Sequence, residues 1–441
     1  MTSEALRPAF GGSGVTKEER KVLAATLIGT AIEWYDFFIY AQAAGLILAP
    51  LFFAPIARDN PGLSLVLSFA TVGISFLFRP LGAIVCGYLG DKLGRKAVLV
   101  LTLILMGAST ALIGLLPTFE QIGFWAPLLL VLLRILQGFS AGGEWGGAAL
   151  MAVEHAPAHR RSMFGSAPQI GVPIGMLLAT AILFAVTATL GKEQFAAWGW
   201  RVPFLLSIAL IVIGVLIRRT VEESPVFAQM HQRRRESSAP LSELVRNHRR
   251  NVLLTALIFV ANNAAGYLLL AFFLSYGQRN LGLPASSVLQ VSLVAAVSWL
   301  VFTLVGGVMG DKIGRVRTFQ IGYVMLALWA IPMWFLIDSK DINLFLVAAL
   351  VLSVPLGLCY GPQAALYTEM FPAKVRYSGV SVGYALGSIF GGAFAASIAQ
   401  WIIAAFNQSW LIGLYILALS MISFIAVSMV KDPMGVDLNI N

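Results

Sequence analysis

Apolar residues fill this chain in runs of about twenty positions, the span of a bilayer core, and most of the charge falls between the runs. The runs lie near 22–53, 64–90, 97–116, 125–152, 163–190, 202–218, 252–278, 287–310, 318–337, 342–366, 378–406 and 410–430. A hydrocarbon layer about 30 Å thick is crossed by about 20 residues rising 1.5 Å each. The pattern therefore predicts an all-α integral membrane protein of twelve transmembrane helices. Stretches such as VLVLTLILMGASTALIGLL show none of the apolar–polar alternation of barrel strands. In lipid, backbone polar groups must be satisfied within the segment, and a continuous run achieves that as a helix. Composition agrees: 58% of residues are hydrophobic and 12% charged, against about 45–50% and about 25% in soluble domains.

The first 21 residues are polar and mixed in charge, and the first apolar run is too long for a secretory h-region, so no cleavable leader is expected. Cys86 and Cys359 fall in apolar runs of opposite halves and read as buried thiols, not a disulfide. Basic residues crowd alternate loops, including the stretch from Arg218 to Arg250. The other set of loops holds only Arg58, Lys192, Arg201, Arg279 and Lys340. That bias predicts both termini on the cytoplasmic side of a bacterial-type plasma membrane. It also accounts for the net charge of +9 without nucleic acid, because a basic face beside anionic lipid suffices.

Two short patterns recur. GYLGDKLGRK at 87–96 returns as GVMGDKIGRV at 307–316, and VEHAPAHRRS at 153–162 returns as TEMFPAKVRY at 368–377. Two repeats at nearly one offset argue for a duplicated six-helix unit. The expected organisation is a tail at 1–21, a bundle at 22–218, a linker at 219–250, a second bundle at 251–430 and a tail at 431–441.

Charge within a span is costly and usually faces the bundle interior. Glu33, Asp36, Arg79, Arg134 and Glu144 form that set, all in the first half; the second half offers Asn262, Asn263, Tyr267, Gln363 and Gln400. Glu33, Asp36 and Tyr40 stand at i, i+3 and i+7 on one broad helix face. Two close carboxylates in a low dielectric do not readily ionise together, so at least one can carry a proton. The alternative is an acid paired with Arg134 or Arg79 to hold the bundle together. Arg134 is the first choice for a substrate carboxylate, through two parallel hydrogen bonds. Arg79 is the second choice or a structural cation. Gln137 shares a face with Glu144, which is a third proton-coupling candidate, a gate or a partner for Arg79. Tyr35, Tyr40, Gln137, Asn262, Asn263, Tyr267 and Gln363 complete the candidate binding set. The four-residue spacing of Gly138 and Gly142 reads as close helix packing.

GTAIEWYDFFIY, FLFRPLGAIVCGYLGDKLGRK, LRILQGFSAGGEWGGAALMAVEHAP, GWRVPF and EMFPAKVRYSGVSVGY together resemble the metabolite:proton symporter family of the major facilitator superfamily, and GFWAPLLLVLLRILQGFSAGGEWGGAAL resembles its shikimate-transporting branch. The resemblance implies two pseudo-symmetric bundles that alternate in access, with substrate at the midplane. It also implies gating contacts among Asp91, Arg95, Glu154 and Arg161, with Asp311, Arg315, Glu369 and Arg376 as counterparts. Val316 where the first copy has Lys96 departs from strict symmetry.

The expected activity is symport of a small hydroxylated organic acid with protons, with a 2-oxoglutarate-like dicarboxylate or a zwitterionic osmolyte as alternatives. Expected partners are that acid, protons and the lipid bilayer, with the chain a monomer and no cofactor beyond the coupling ion. An enzyme is disfavoured: HAPAH lacks a joining ligand cluster for a metal, and no phosphate-binding Gly-rich loop is present. A membrane sensor would need an output domain that no loop is long enough to form.

Overall fold

The computed structural model describes residues 17–57, 60–93, 95–142, 144–154, 156–220, 244, 246–372, 375–436 and 438, and the side chains of these except at 17–22, 25, 87–93, 95–99 and 217–220. Asp91 and Arg95 as gating side chains, the tail at 1–16 and most of the linker at 219–250 therefore lie outside the described residues.

The apolar runs become helices. α1 is Thr26–Phe53, α2 Pro61–Cys86, α4 Trp125–Glu154, α5 Ala158–Gly199, α7 Arg249–Arg279, α8 Ala285–Ile313, α10 Ile342–Glu369, α11 Arg376–Phe406 and α12 Trp410–Ser428. Among the described residues these nine are long and apolar enough to cross a membrane. Shorter apolar helices α3 (Val100–Leu115) and α6 (Arg201–Leu216) complete the first half. α9 runs Arg315–Trp329 and resumes as Pro332–Ile337. Pro332 lacks the amide that would continue the helix, and it stands at the first turn of the resumed piece. The twelve helices follow the twelve apolar runs.

Each half packs on its own apolar faces, as in α1 against α5, α2 against α4, α8 against α10 and α7 against α11 and α12. The halves meet chiefly along α5 with α8 and α2 with α11. Small residues set the closest approach: a Cβ on Gly138 would strike the Ser75 carbonyl of α2, and one on Gly142 the carbonyl of Arg79. Lipid-length helices without a hydrophobic drive to associate depend on such contacts.

Four stretches widen to π-helical hydrogen bonding: Ala44–Phe53 in α1, Phe195–Gly199 in α5, Leu268–Phe272 in α7 and Ile389–Ala393 in α11. α1 and α7 are the first helices of their halves, so the duplication extends to this irregularity. Such bulges shift side chains around the axis and cluster at functional sites.

Candidate functional site

The halves enclose a small central cavity. Trp34 of α1 and Val172 of α5 line it from the first half, and Phe259, Asn262, Asn263, Tyr267, Trp299 and Tyr360 from the second. Its volume is about 20 Å³; a single water needs about 10–15 Å³ on that scale. Asn262 Oδ1, Asn263 Nδ2, Tyr267 OH, Trp34 Nε1 and Trp299 Nε1 are buried and have no hydrogen-bond partner among the described residues. A buried polar atom without a partner costs about 1–3 kcal/mol, so this set suits a polar guest.

Arg79 stands beside the cavity in an aromatic cage. Its guanidinium carbon lies 4.4 Å from the Phe76 ring centre, 5.0 Å from Phe37 and 5.4 Å from Trp34. Phe37 and Phe76 each meet Tyr267 edge-on across the half boundary, at 5.8 and 5.3 Å. The Arg79 Nε is buried without a hydrogen-bond partner among the described residues. Glu33 is 3% exposed and acts electrostatically on Tyr267, Tyr360 and Tyr384 of the second half, so it faces the seam between halves.

Asp36 turns elsewhere. Three residues along a helix turn a side chain by about 60° from its starting face, enough to place Asp36 inside the first bundle. Ser207 of α6 donates to its Oδ1 at 2.6 Å, while the Thr110 hydroxyl of α3 donates to the Met106 carbonyl of its own helix at 3.0 Å. Tyr35 donates to the Pro203 carbonyl at 2.6 Å, also within the first bundle. Tyr40 bonds Thr71 of α2 at 2.5 Å.

Arg134 is fully buried and committed to its own half. Nη1 donates to Gln137 Oε1 at 2.6 Å, Nη2 to Ser75 Oγ at 2.9 Å, and Nε to the Thr71 carbonyl at 3.3 Å. Its guanidinium carbon lies 3.9 Å from the Tyr40 ring centre. Gln137 in turn donates to Thr110 Oγ1 at 2.6 Å. Glu144 is buried at the start of the second piece of α4.

Toward the repeated-loop end, aromatic and amide side chains close the cavity. Trp145 stacks on Tyr384 at 3.8 Å, and Phe259 on Tyr384 at 4.8 Å. Gln169 accepts from Trp145 Nε1 at 2.8 Å and donates across the halves to Gln363 Oε1 at 3.1 Å. Beyond them lies an ionic seal. Glu369 pairs with Arg161 of the other half at 3.2 Å and with Arg315 at 3.1 Å, and Arg376 pairs with Glu154 at 3.3 Å. Asp311, beside Arg315 at 3.6 Å, accepts from the Ser162 and Met163 amides at 2.9 Å each. A carboxylate on α8 thus caps the positive N-terminus of α5 in the opposite half. The C-terminal segment joins the seal: Arg161 donates to the Val436 carbonyl and Arg376 to that of Leu438. Among the described residues the other end closes with little charge, through Phe37, Phe76 and Tyr267, the approach of Gly45 to Ser275 and Phe69, and two bonds from Arg279 to the Gly45 carbonyl, at 3.4 and 3.3 Å.

Asp311→Asn keeps the shape and removes the charge that caps α5. Charge-assisted bonds contribute about 1.5–3 kcal/mol, so the variant should populate a form open at this end. A cysteine at the buried Ser381, which packs against Gly146 of the other half (Ser381→Cys), should then react faster with a maleimide, and an unchanged rate would deny Asp311 a gating role.

Residue patterns left several participants unmarked. Gln169 is an amide within an apolar span, and the rule that singles out Gln363 marks it equally. Trp34, Trp145, Trp299 and Tyr384 look like ordinary core aromatics. Thr110 and Ser207 carry small hydroxyls that usually bond their own helix, so nothing in the pattern distinguishes them.

A model of the Major Facilitator Superfamily matches residues 26–396. The inner membrane metabolite transport protein YhjE of Escherichia coli is 39% identical over 93% of this chain and 94% of its own. The shikimate transporter of Escherichia coli is 36% identical over 97% of both chains. Among solved structures, the proton:xylose symporter XylE bound to 6-bromo-6-deoxy-D-glucose aligns with a TM-score of 0.75 at 18% identity, covering 96% of this chain and 98% of that one.

Proposed function

The chain belongs to the major facilitator superfamily and, within it, to the metabolite:proton symporter family, and from that membership we propose a proton-coupled uptake symporter for a small hydroxylated organic acid of the shikimate type. It is a transporter and not an enzyme. The observation that carries the substrate class is the pairing of a caged arginine with a cavity of unsatisfied polar atoms: Arg79 beside Asn262, Asn263, Tyr267, Trp34 and Trp299. A guanidinium offers a fork of donors to a carboxylate. The amides, the phenol and the indole N–H groups would serve ring hydroxyls.

Arg79 is the better placed of the two span arginines, because Arg134 spends its donors on Gln137, Ser75 and Thr71. Asp36 is the proposed proton carrier: it is 1% exposed and its hydrogen-bond partner is the neutral Ser207 hydroxyl. Glu33 faces the seam and would sense substrate. The small cavity makes this a closed form, and loading requires the halves to part at one end. With both termini cytoplasmic in a bacterial inner membrane, as proposed from the basic loops, the ionic seal faces the cytoplasm.

The aromatic lining supports a second reading. Trp34, Trp299, Phe259, Tyr267 and Tyr360 could surround a quaternary ammonium, which would make the cargo a zwitterionic osmolyte. Uptake of labelled shikimate, 2-oxoglutarate, glycine betaine and xylose, with and without a protonophore, separates these readings. Protonophore-sensitive shikimate uptake supports the first. Betaine uptake alone replaces it with the second, and 2-oxoglutarate uptake alone replaces it with a dicarboxylate. Preference for the neutral sugar ends the organic-acid reading.

A further inference from the structure

A larger cavity lies beside the ionic seal, between α5 of the first half and α8 of the second, with a volume of about 560 Å³. Ligand pockets commonly hold about 300–1,000 Å³. Small residues bring the two helices together next to it: a Cβ on Gly307 would meet Ser166 Cβ at 3.1 Å, and one on Gly310 the Ser162 Oγ at 2.9 Å.

Its walls are charged at one end and apolar along the rest, as a phospholipid is. His159 and Arg160 stand at the start of α5 and Lys312 near the end of α8, all exposed and all at the seal end. Phe164 and Ile170 follow on α5, and Val308 and Leu304 lie one and two turns inside Lys312 on α8. By the helical rise, that apolar wall reaches about 12 Å inward from Lys312. Met163 and Val308 line the cavity yet are 38% and 39% exposed, so it opens sideways between the helices. Around a membrane-spanning bundle, what meets that opening is lipid.

The charge at the mouth is not balanced by protein. Among the described residues Asp311 is the one acid in the wall. Its oxygens accept from the Ser162 and Met163 amides, and it stands 3.6 Å from Arg315. Among the described residues no acid pairs with Arg160 or Lys312. The cap on α5 also occupies its first amides, which leaves the side chains of Arg160, Lys312 and His159 to hold an anion. Guanidinium and ammonium both bond phosphate oxygens, and basic pockets between spanning helices attract anionic headgroups.

We propose that this cleft binds one anionic phospholipid, with its phosphate between Arg160 and Lys312 and an acyl chain along Phe164, Ile170, Val308 and Leu304, and that the bound lipid favours the form closed at the seal. The leaflet is the cytoplasmic one on the orientation proposed above, and the identity of the cargo does not enter. The two cations belong to different halves. Parting the halves at this end draws Arg160 away from Lys312, so one phosphate bridges both only while the seal is shut. The anion also offsets the repulsion between cations that closure brings to one cleft. A ligand shifts an equilibrium by the difference in its affinity for the two forms.

The test starts with native mass spectrometry of the full-length protein in detergent, titrated with phosphatidylglycerol, phosphatidylcholine or glycerol 3-phosphate. The expected result is one phosphatidylglycerol retained at least tenfold better than phosphatidylcholine. Arg160→Gln combined with Lys312→Gln should bring that ratio near one, and Lys312→Arg alone should keep it. Both residues are exposed, so monodispersity should be unchanged. A preference that survives the double variant overturns the site. Glycerol 3-phosphate retained as well as the lipid would make this an ion site and overturn the lipid, and a dimer in place of lipid adducts would give the cleft to a second copy. The second arm uses Ser381→Cys in nanodiscs, with Cys86 and Cys359 replaced by alanine. Phosphatidylglycerol should slow its reaction with a maleimide at least threefold relative to phosphatidylcholine, and the double variant should remove the difference. Equal rates in the two lipids would overturn the link to the closed form. Neither arm uses substrate, so failure of shikimate uptake would leave both results standing.

Discussion

Arg79→Lys should weaken binding of the transported acid roughly 10–100-fold while the protein still folds. A charge-assisted hydrogen bond contributes about 1.5–3 kcal/mol, and each 1.4 kcal/mol is about tenfold in affinity. Lysine keeps the charge but loses the fork, so a carboxylate held by two parallel bonds would keep one. It also loses the flat face that lies 4.4 Å from Phe76 and 5.0 Å from Phe37, and an ammonium is more strongly hydrated than a guanidinium. The measurement is equilibrium binding of labelled shikimate to purified protein, with monodispersity in detergent as the folding control. An unchanged Kd would remove Arg79 from the carboxylate site and return Arg134 as the candidate.

Asp36→Asn should abolish accumulation against a gradient and leave substrate exchange. Asparagine nearly matches aspartic acid in shape and keeps an acceptor for Ser207, so the cost to the fold is small. What disappears is the group that binds a proton on one side and releases it on the other. A proton gradient equivalent to 100 mV supplies about 2.3 kcal/mol per charge, or roughly 50-fold accumulation for one proton per monoanion. The variant should fall to a ratio near one. Symport of one proton with one monoanion moves no net charge, so accumulation should follow the pH difference and ignore an imposed voltage. Full accumulation by the variant would transfer the role to Glu33.

The fold was legible because lipid leaves few choices. Twelve runs of nearly unbroken hydrophobicity can be satisfied only as helices, and the GDKLGR and GDKIGR loops announce the duplication. The candidate site was legible in its charges and not in its geometry. Glu33 and Asp36 read as one pair by spacing, yet about 60° of helix rotation sends one to the seam and the other toward Ser207. Which neighbour fills each sector of a helix is decided by tertiary packing, and no local pattern encodes it. The same holds for Arg134 and Arg79: both are arginines in apolar spans, and only their neighbours tell a hydrogen-bonded clamp from a guanidinium set among aromatic rings. Trp145 and Tyr384 illustrate the limit further, since a stacked pair formed across two halves leaves no trace in either local sequence.

The two closures of the central cavity differ in kind, and that difference makes temperature a selector between faces. Apolar contact weakens on cooling, whereas the dehydration cost borne by buried ion pairs eases on warming. Chilling should therefore loosen the Phe37–Tyr267 side relative to its own warm state, and warming should tighten the Glu369 side against it. A cell that warms or cools would tilt the resting orientation of this protein without any change in ligand, and a frozen or heated sample would report a population that its native growth temperature does not share.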